Sequence, residues 1–264
     1  MYLSNTSLSK FIQCPAYGFY KYILNIRKKK EFSGNSNSNT AFGQIIHHAF
    51  EVYGREKDLE KAIKSIYDNP LSQSLSHSSK KNILTADVLV RKGVMMTKGM
   101  DIIEVEKPFK FQLGENYWIG RWDAIVKDNG LIYVMEYKTT GSNEFQIRPN
   151  SQVISYYVGA REYFENVGGV YVYVMQADNQ EIKNFFVRPT PNEIQEWKEE
   201  TIWLMKQVTN YINLNIYPKN ERACHQYNRE CEYLPLCKSF GKVRENLMNS
   251  MYEKFERRNL DEVE

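Results

Sequence analysis

The chain has 264 residues, 42% of them hydrophobic and 25% charged, enough apolar material to bury a sizeable core in one large domain or two small ones. A formal net charge of +3 permits contact with a polyanion without demanding it, so charge excludes neither a nucleic-acid-binding protein nor an ordinary enzyme. The start, MYLSNTSLSK, lacks the basic region and apolar run of a secretory signal, and no stretch approaches the roughly 18 uninterrupted apolar residues of a membrane span, so a cytoplasmic protein with no membrane partner is expected.

In chain order, Leu8, Phe11, Ile12 and Tyr20 follow helical spacing, and Pro15 interrupts it just after Cys14, which predicts two short helices. The segment KKKEFSGNSNSNT, residues 28–40, breaks all periodicity. Its Ser, Asn and Gly content predicts a loop, either a solvated linker or, given its three lysines, a DNA-facing loop if a site lies nearby. AFGQIIHHAFEVYGRE resumes a helix, and two weaker helical patterns run to about Gly99. From Asp101 the texture changes: IIEVEKPFKF, YWIGRWDAIV and LIYVMEYK alternate with period 2 and are rich in β-branched and aromatic residues, as strands are. A helix, RPNSQVISYYVGAREYF, then leads to a strand pair, GGVYVYVMQA and EIKNFFVRP. The next helix starts at a capping box with Thr190 as N-cap, Pro191 at the first helical position and Glu193 reaching back. With no internal repeat, this order predicts one α/β domain over 1–264 carrying N- and C-terminal attachments.

The turn KDNGL between the second and third strands contains Asn129-Gly130, the preferred pair for a two-residue type I′ hairpin, because both positions need positive φ. Counting outward from that turn puts Ile125 opposite Val134 and Asp123 opposite Glu136. Carboxylates on paired positions, with Cβ atoms roughly 5 Å apart, repel unless something cationic sits between them. Lys138 falls on the same face, opposite Arg121. A solvated strand end could carry such charges, but LIYVMEYKTT is otherwise an apolar run of the kind buried on both faces, where unpaired charges are expensive. Hard carboxylate oxygens at this separation suit Mg²⁺ or Mn²⁺, and a neighbouring lysine can orient a water and stabilise charge on phosphorus, which points to phosphodiester chemistry.

The chain has four cysteines, with Cys224, Cys231 and Cys237 clustered in ACHQYNRECEYLPLC and Cys14 near the other end. In a reducing compartment they are expected as metal ligands or buried thiols rather than disulfides. Structural zinc sites usually pair cysteines across two to four residues, and no such pair exists here.

These features together resemble the PD-(D/E)XK nuclease superfamily, in particular its RecB-like branch, over nearly the whole chain. Asp123 in GRWDAIV stands where the family has its metal-binding aspartate, and Glu136 and Lys138 in MEYKTT match its (D/E)-x-K. GQIIHHAFE resembles the branch's G-x-x-x-H-x-x-x-E helix, which makes His47 a further metal ligand, with His48 beside it. QVISYY matches its Q-x-x-x-Y, placing Gln152 and Tyr156 on one helix face beside the lysine. Glu106 is either a further acidic group at the site or a surface glutamate. The resemblance implies a restriction-endonuclease-like core with a mixed central β-sheet flanked by helices. It also implies a [4Fe-4S] cluster held by Cys14, in the F-x-x-C-P context FIQCP, with Cys224, Cys231 and Cys237, joining elements at about 1–25 and 215–245. The C-x6-C spacing from Cys224 to Cys231 is longer than the C-x2-C of the best-known members, and His225 is the alternative ligand there. Zinc ranks behind the cluster, and buried thiols behind zinc.

The activity implied is that of a Mg²⁺- or Mn²⁺-dependent DNA nuclease, with the metal on His47, Asp123 and Glu136. By analogy it is an exonuclease on single strands or DNA ends, in recombination, repair or phage and mobile-element DNA processing. No G-x-x-x-x-G-K-[ST] occurs, so a helicase or recombination motor would be a separate partner. The rival expectations are a non-catalytic nucleic-acid-binding protein with a structural metal cluster and an RNA-processing nuclease with the same site.

Overall fold

Side-chain caps set where most of the helices begin. In the computed structural model, which describes residues 1–29, 31, 38–140, 150–226 and 229–256, Ser4 and Ser7 form a reciprocal capping box, and Asp58, Asn82 and Asn150 each accept the N–H three residues on. Thr190 and Glu193 do the same for the longest helix: the Thr190 N–H donates to Glu193 Oε2 at 2.7 Å and the Glu193 N–H to Thr190 Oγ1 at 3.3 Å. The loop expected over 28–40 lies mostly outside the described residues, as do Arg148 and Pro149 at the expected start of a helix.

The elements run β1 (Tyr2–Leu3), α1 (Asn5–Gln13), α2 (Pro15–Gly18), β2 (Ile26–Lys28), α3 (Ser38–Glu56), α4 (Leu59–Asp68), α5 (Ile83–Met96), β3 (Asp101–Leu113), β4 (Asn116–Asp128) and β5 (Leu131–Thr140). They continue with α6 (Ser151–Tyr163), β6 (Val167–Gln176), β7 (Glu181–Val187), α7 (Pro191–Leu214), β8 (His225–Gln226), β9 (Arg229–Glu230), α8 (Leu234–Lys238), α9 (Gly241–Met251) and β10 (Tyr252–Lys254). Among the described residues, no helix is long and apolar enough to cross a membrane. The chain divides into two compact units, one of residues 1–35, 110–120 and 195–264, the other of 36–109 and 121–194.

The second unit is built on a mixed sheet. β3 pairs with β4, β4 and β5 form an antiparallel hairpin, β6 is parallel to β5, and β7 is antiparallel to β6. Phe42, Ile45, Ile46 and Ala49 of α3, Ile66 of α4 and Leu89 and Val90 of α5 are buried with Ala124, Val126, Met135, Tyr173 and Met175 of the sheet. Alternation puts Ile125, Val134, Val172 and Val174 on the opposite face, also buried, and α6 lies against β5 and β6. The result is an α/β core with helices flanking a mixed sheet.

The β4–β5 turn has the geometry its dipeptide demands, with φ of 47° at Asn129 and 81° at Gly130. The register follows, from Asp128 opposite Leu131 to Ala124 opposite Met135. Alanine at Gly130 is expected to cost about 1–2 kcal/mol, the usual penalty of the left-handed region. An added Cβ would meet nothing within 4 Å, so urea unfolding of Gly130→Ala would read the backbone term alone.

In the first unit, Pro15 ends α1 at Gln13, pushes Cys14 to extended backbone (φ −160°) and takes the first position of α2. Leu8, Phe11 and Tyr20 are buried as their spacing predicts, but Ile12 is exposed. β2 pairs antiparallel with β10, and a small core of Tyr20, Ile26, Tyr233, Leu236 and Tyr252 packs around them. Tyr233 Oη donates to the Ile26 carbonyl, Tyr252 Oη to the Glu232 carbonyl and Tyr17 Oη to Glu232 Oε1, so the tyrosines tie the N-terminal helices to the C-terminal segment by polar as well as apolar contact.

Candidate active site

Period 2 places Glu136 and Lys138 on one face of β5, and the hairpin register brings Asp123 of β4 alongside. The recorded pairing stops at Ala124 and Met135, one step short of Asp123 and Glu136. There Asp123 accepts the Tyr137 N–H on Oδ2 at 2.7 Å. Its other oxygen lies 3.2 Å from His47 Nδ1, so α3 reaches the site through His47. His48 turns away, with Nδ1 3.6 Å from Glu51. The His47 ring is edge-on to the Tyr137 ring, which stacks on Phe50 at 4.2 Å.

Glu136 is 2% exposed. Its Oε1 accepts from Lys138 Nζ at 2.5 Å and from Gln152 Nε2 at 3.0 Å, while Oε2 is buried with no hydrogen-bond partner among the described residues. Gln152 also accepts from Lys138 Nζ at 2.8 Å and donates to Tyr156 Oη at 3.0 Å, so α6 contributes Gln152 and Tyr156 one turn apart.

The third acidic group is Glu106 of β3. It has a φ of 50°, a left-handed backbone that costs a non-glycine residue about 1–2 kcal/mol. Ligand atoms of His47, Glu106 and Asp123 lie within 4.8 Å of one another. Arg121 NH1, 3.4 Å from Glu106 Oε2, partly offsets the negative charge.

These charges perturb one another. Burial raises the Glu136 carboxyl, and the negative charge of Asp123 raises it further, to about 8. Burial alone would lower His47, but the field of Asp123, its hydrogen bond and then Glu136 and Glu106 carry it up to about 9. Burial would raise Asp123, yet the His47 charge and hydrogen bond and the Tyr137 amide hold it low. Burial and Asp123 raise Glu106.

The four cysteines all lie in the first unit and are free thiols, Cys14 among them buried. The Cys231 N–H donates to the Cys224 carbonyl at 2.8 Å, and the Cys237 N–H to the Tyr233 carbonyl at 3.0 Å. Burial pushes the Cys231 thiol up to about 11; the Tyr233 backbone opposes this, and Cys237, Cys224 and Cys14 each add to it. Among the described residues, no three of the cysteine sulfurs lie within 4.8 Å of one another. His225 is exposed in β8.

The structure thus brings His47, Asp123, Glu136, Lys138, Gln152 and Tyr156 together in one unit, whereas the four cysteines lie in the other without forming a group of ligands at metal-binding distance. Glu106, one of two alternatives on sequence, joins the first group because of a backbone twist that residue types do not announce. The Tyr137 amide, as a backbone donor, has no sequence signal at all.

A buried carboxylate cluster with a lysine on a mixed α/β sheet is an arrangement that suits metal-assisted hydrolysis. The model of the PD-(D/E)XK nuclease superfamily matches residues 2–238, and the chain belongs to that superfamily. A crystal structure of a provisionally assigned exonuclease from Eubacterium rectale is similar in fold, with a TM-score of 0.58 and 13% identity over 90% of this chain and 94% of that one. A second crystal structure, of SSO0001, matches 66% of this chain and 81% of its own at 19% identity, with a TM-score of 0.33 that carries no argument. No curated protein matches the chain.

Proposed function

We propose that the protein is a Mg²⁺- or Mn²⁺-dependent DNA nuclease of the RecB-like branch, acting in the cytoplasm as an exonuclease on single strands or DNA ends in recombination, repair or phage and mobile-element DNA processing. What carries this is a buried Glu136 Oε2 with no hydrogen-bond partner among the described residues, together with His47, Glu106 and Asp123, whose ligand atoms lie within 4.8 Å of one another. Leaving such an oxygen unsatisfied costs about 1–3 kcal/mol, and more for a charge, so the set fits a cation. Carboxylates with an imidazole suit Mg²⁺ or Mn²⁺. His47, Asp123 and Glu136, with Glu106 beside them, would hold the ion. When bound, it supplies a more acidic water and charge neutralisation at phosphorus.

The chain's own groups do the rest. Lys138 is held by Glu136 and Gln152 with about a third of its side chain exposed, so its ammonium faces substrate at a defined point. Gln152, braced by Tyr156, positions that ammonium. Labelled single- and double-stranded DNA and RNA, incubated side by side with Mg²⁺ or Mn²⁺, test the reading. Progressive shortening of DNA from an end is expected, whereas binding without cutting would overturn it.

The raised His47 and Glu136 groups hold protons at neutral pH in the metal-free protein. Both pKa values lie above their unfolded values, so the stability they contribute is present at low pH and is lost as pH rises, up to about 8 for Glu136 and about 9 for His47. Cation binding must expel these protons. Calorimetry of Mn²⁺ binding in buffers of different ionisation enthalpy is expected to show proton release at pH 7 and an affinity that tightens toward pH 9. Binding with no proton release would exclude these ligands.

We further propose that Cys14, Cys224, Cys231 and Cys237 hold a [4Fe-4S] cluster, with zinc the alternative, clamping the elements at about 1–25 and 215–245. The support is the number of free thiols in the first unit, four being the thiolate complement of such a cluster. Both units are read as parts of one nuclease domain, since the family model spans segments of each. A helicase or recombination motor would be a separate chain.

A further inference from the structure

We propose that a cavity of about 350 Å³ in the second unit binds a phosphate of the substrate strand away from the scissile bond, an inference that rests on the nuclease reading above. Tyr157 and Arg161 of α6 line it, with Asn166 before β6, Arg188 and Pro189 after β7 and Pro191 opening α7. Arg161 and Arg188 are both exposed, and among the described residues neither has a carboxylate within ion-pair distance, although Glu162 and Glu165 are close in sequence. Two guanidinium groups lining one cavity leave it positively charged until an anion enters it.

Arg161 is also held in place. Its Cζ lies 5.9 Å from the centroid of the Tyr157 ring, and that ring is itself buried, so the guanidinium loses little freedom on binding. The positive charge does not come from the end of α7: Pro191 has no N–H, and the Thr190 N–H is taken by Glu193. The prolines form a stiff wall without donors, leaving the arginines and Asn166 to set the chemistry. Guanidinium forks match phosphate oxygens in pairs.

Gln152, which touches Lys138, and Arg161 lie on the same helix, nine residues or about 13 Å apart along its axis and half a turn apart around it. A phosphate held in this cavity is therefore remote from the one at Lys138, and a strand that meets both crosses α6. Contacts of that kind set register and grip without reading bases.

The test is the affinity of the full chain for a labelled single-stranded oligonucleotide, without divalent cations, over a series of salt concentrations. Wild type is compared with Arg161→Gln/Arg188→Gln, with Arg161→Lys/Arg188→Lys, and with Lys64→Gln/Lys98→Gln, which removes two exposed lysines elsewhere in the unit. The glutamine pair is expected to bind more weakly and to flatten the slope of log K against log salt by about 0.7, the value for one phosphate of a single strand. The lysine pair should keep most of the slope, and the control pair all of it. An unchanged slope in the glutamine pair, or an equal loss in the control, overturns the proposal. So does wild-type-specific binding of a nucleoside monophosphate with coincident oligonucleotide slopes, which would make this a free-nucleotide site. Cleavage with Mg²⁺ is scored separately, so failure of the nuclease reading is distinguishable from failure of this one.

Discussion

Lys138→Ala is expected to slow DNA cleavage by about 10²–10⁴-fold, the usual range for a positioned proton-transfer group, while leaving oligonucleotide binding largely intact. The loss has two parts. Substrate no longer meets the ammonium that Glu136 and Gln152 hold in place, and Glu136 keeps Asp123 as a neighbour without the cation that offsets it. Single-turnover cleavage at saturating enzyme separates the chemical step from binding. Lys138→Arg keeps the charge but changes its shape, so partial recovery would assign the loss to charge and no recovery to geometry. Gln152→Ala is expected to lose less, because it acts through Lys138. Cleavage by Lys138→Ala at the wild-type rate would remove Lys138 from the chemistry.

Cys231→Ser separates the metal readings from the buried-thiol one by magnitude. If the thiols are merely packed, exchanging one half-buried sulfur for oxygen should cost no more than the few kcal/mol of a buried hydroxyl lacking a partner. If they ligate a metal, the first unit loses a contribution on the order of 10 kcal/mol, comparable with the whole stability of a typical domain. The N- and C-terminal segments would then be held by the tyrosine cluster around Tyr233 and the short β2–β10 pairing, and proteolysis near both chain ends is the expected outcome. Anaerobic purification with iron, sulfide and zinc analysis identifies the metal. A brown wild type that turns colourless in the variant supports the cluster, and a colourless, zinc-containing wild type replaces it. Unchanged urea unfolding in a variant lacking all four thiols would eliminate both metals.

Much of this architecture is legible locally. Asn129-Gly130 specifies its hairpin because both positions need positive φ, and the register then counts outward to Asp123 and Glu136 without further information. Pro15 sets the joint that carries Cys14, and Thr190 with Glu193 starts α7, because a missing N–H and an unpaired one have few local solutions. The i, i+4 spacing of Gln152 and Tyr156 places both on one face of α6. His47 is separated from His48 by the family spacing, and the helix turns the first to Asp123 and the second to Glu51.

Other features depend on packing between distant segments. Glu106 reaches His47 and Asp123 through a left-handed residue inside a strand, a strain that only the surrounding structure can sustain. Glu136 shares Lys138 and Gln152 rather than simply facing Asp123, because α6 docks over β5. Residues 110–120 group with the two chain ends although they lie within continuous strands. Arg161 and Arg188 meet at one cavity because β6 and β7 pair and α6 packs beside them. By itself the sequence determined the central helices and strands, the hairpin turn and its register, and a set of candidate residues, since each follows from local backbone chemistry or motif spacing, whereas the short strands and helices near the chain ends carry no such signal. Tertiary structure alone decided which carboxylates lie side by side and which arginines line one cavity, because those depend on distances across the fold that no local spacing encodes.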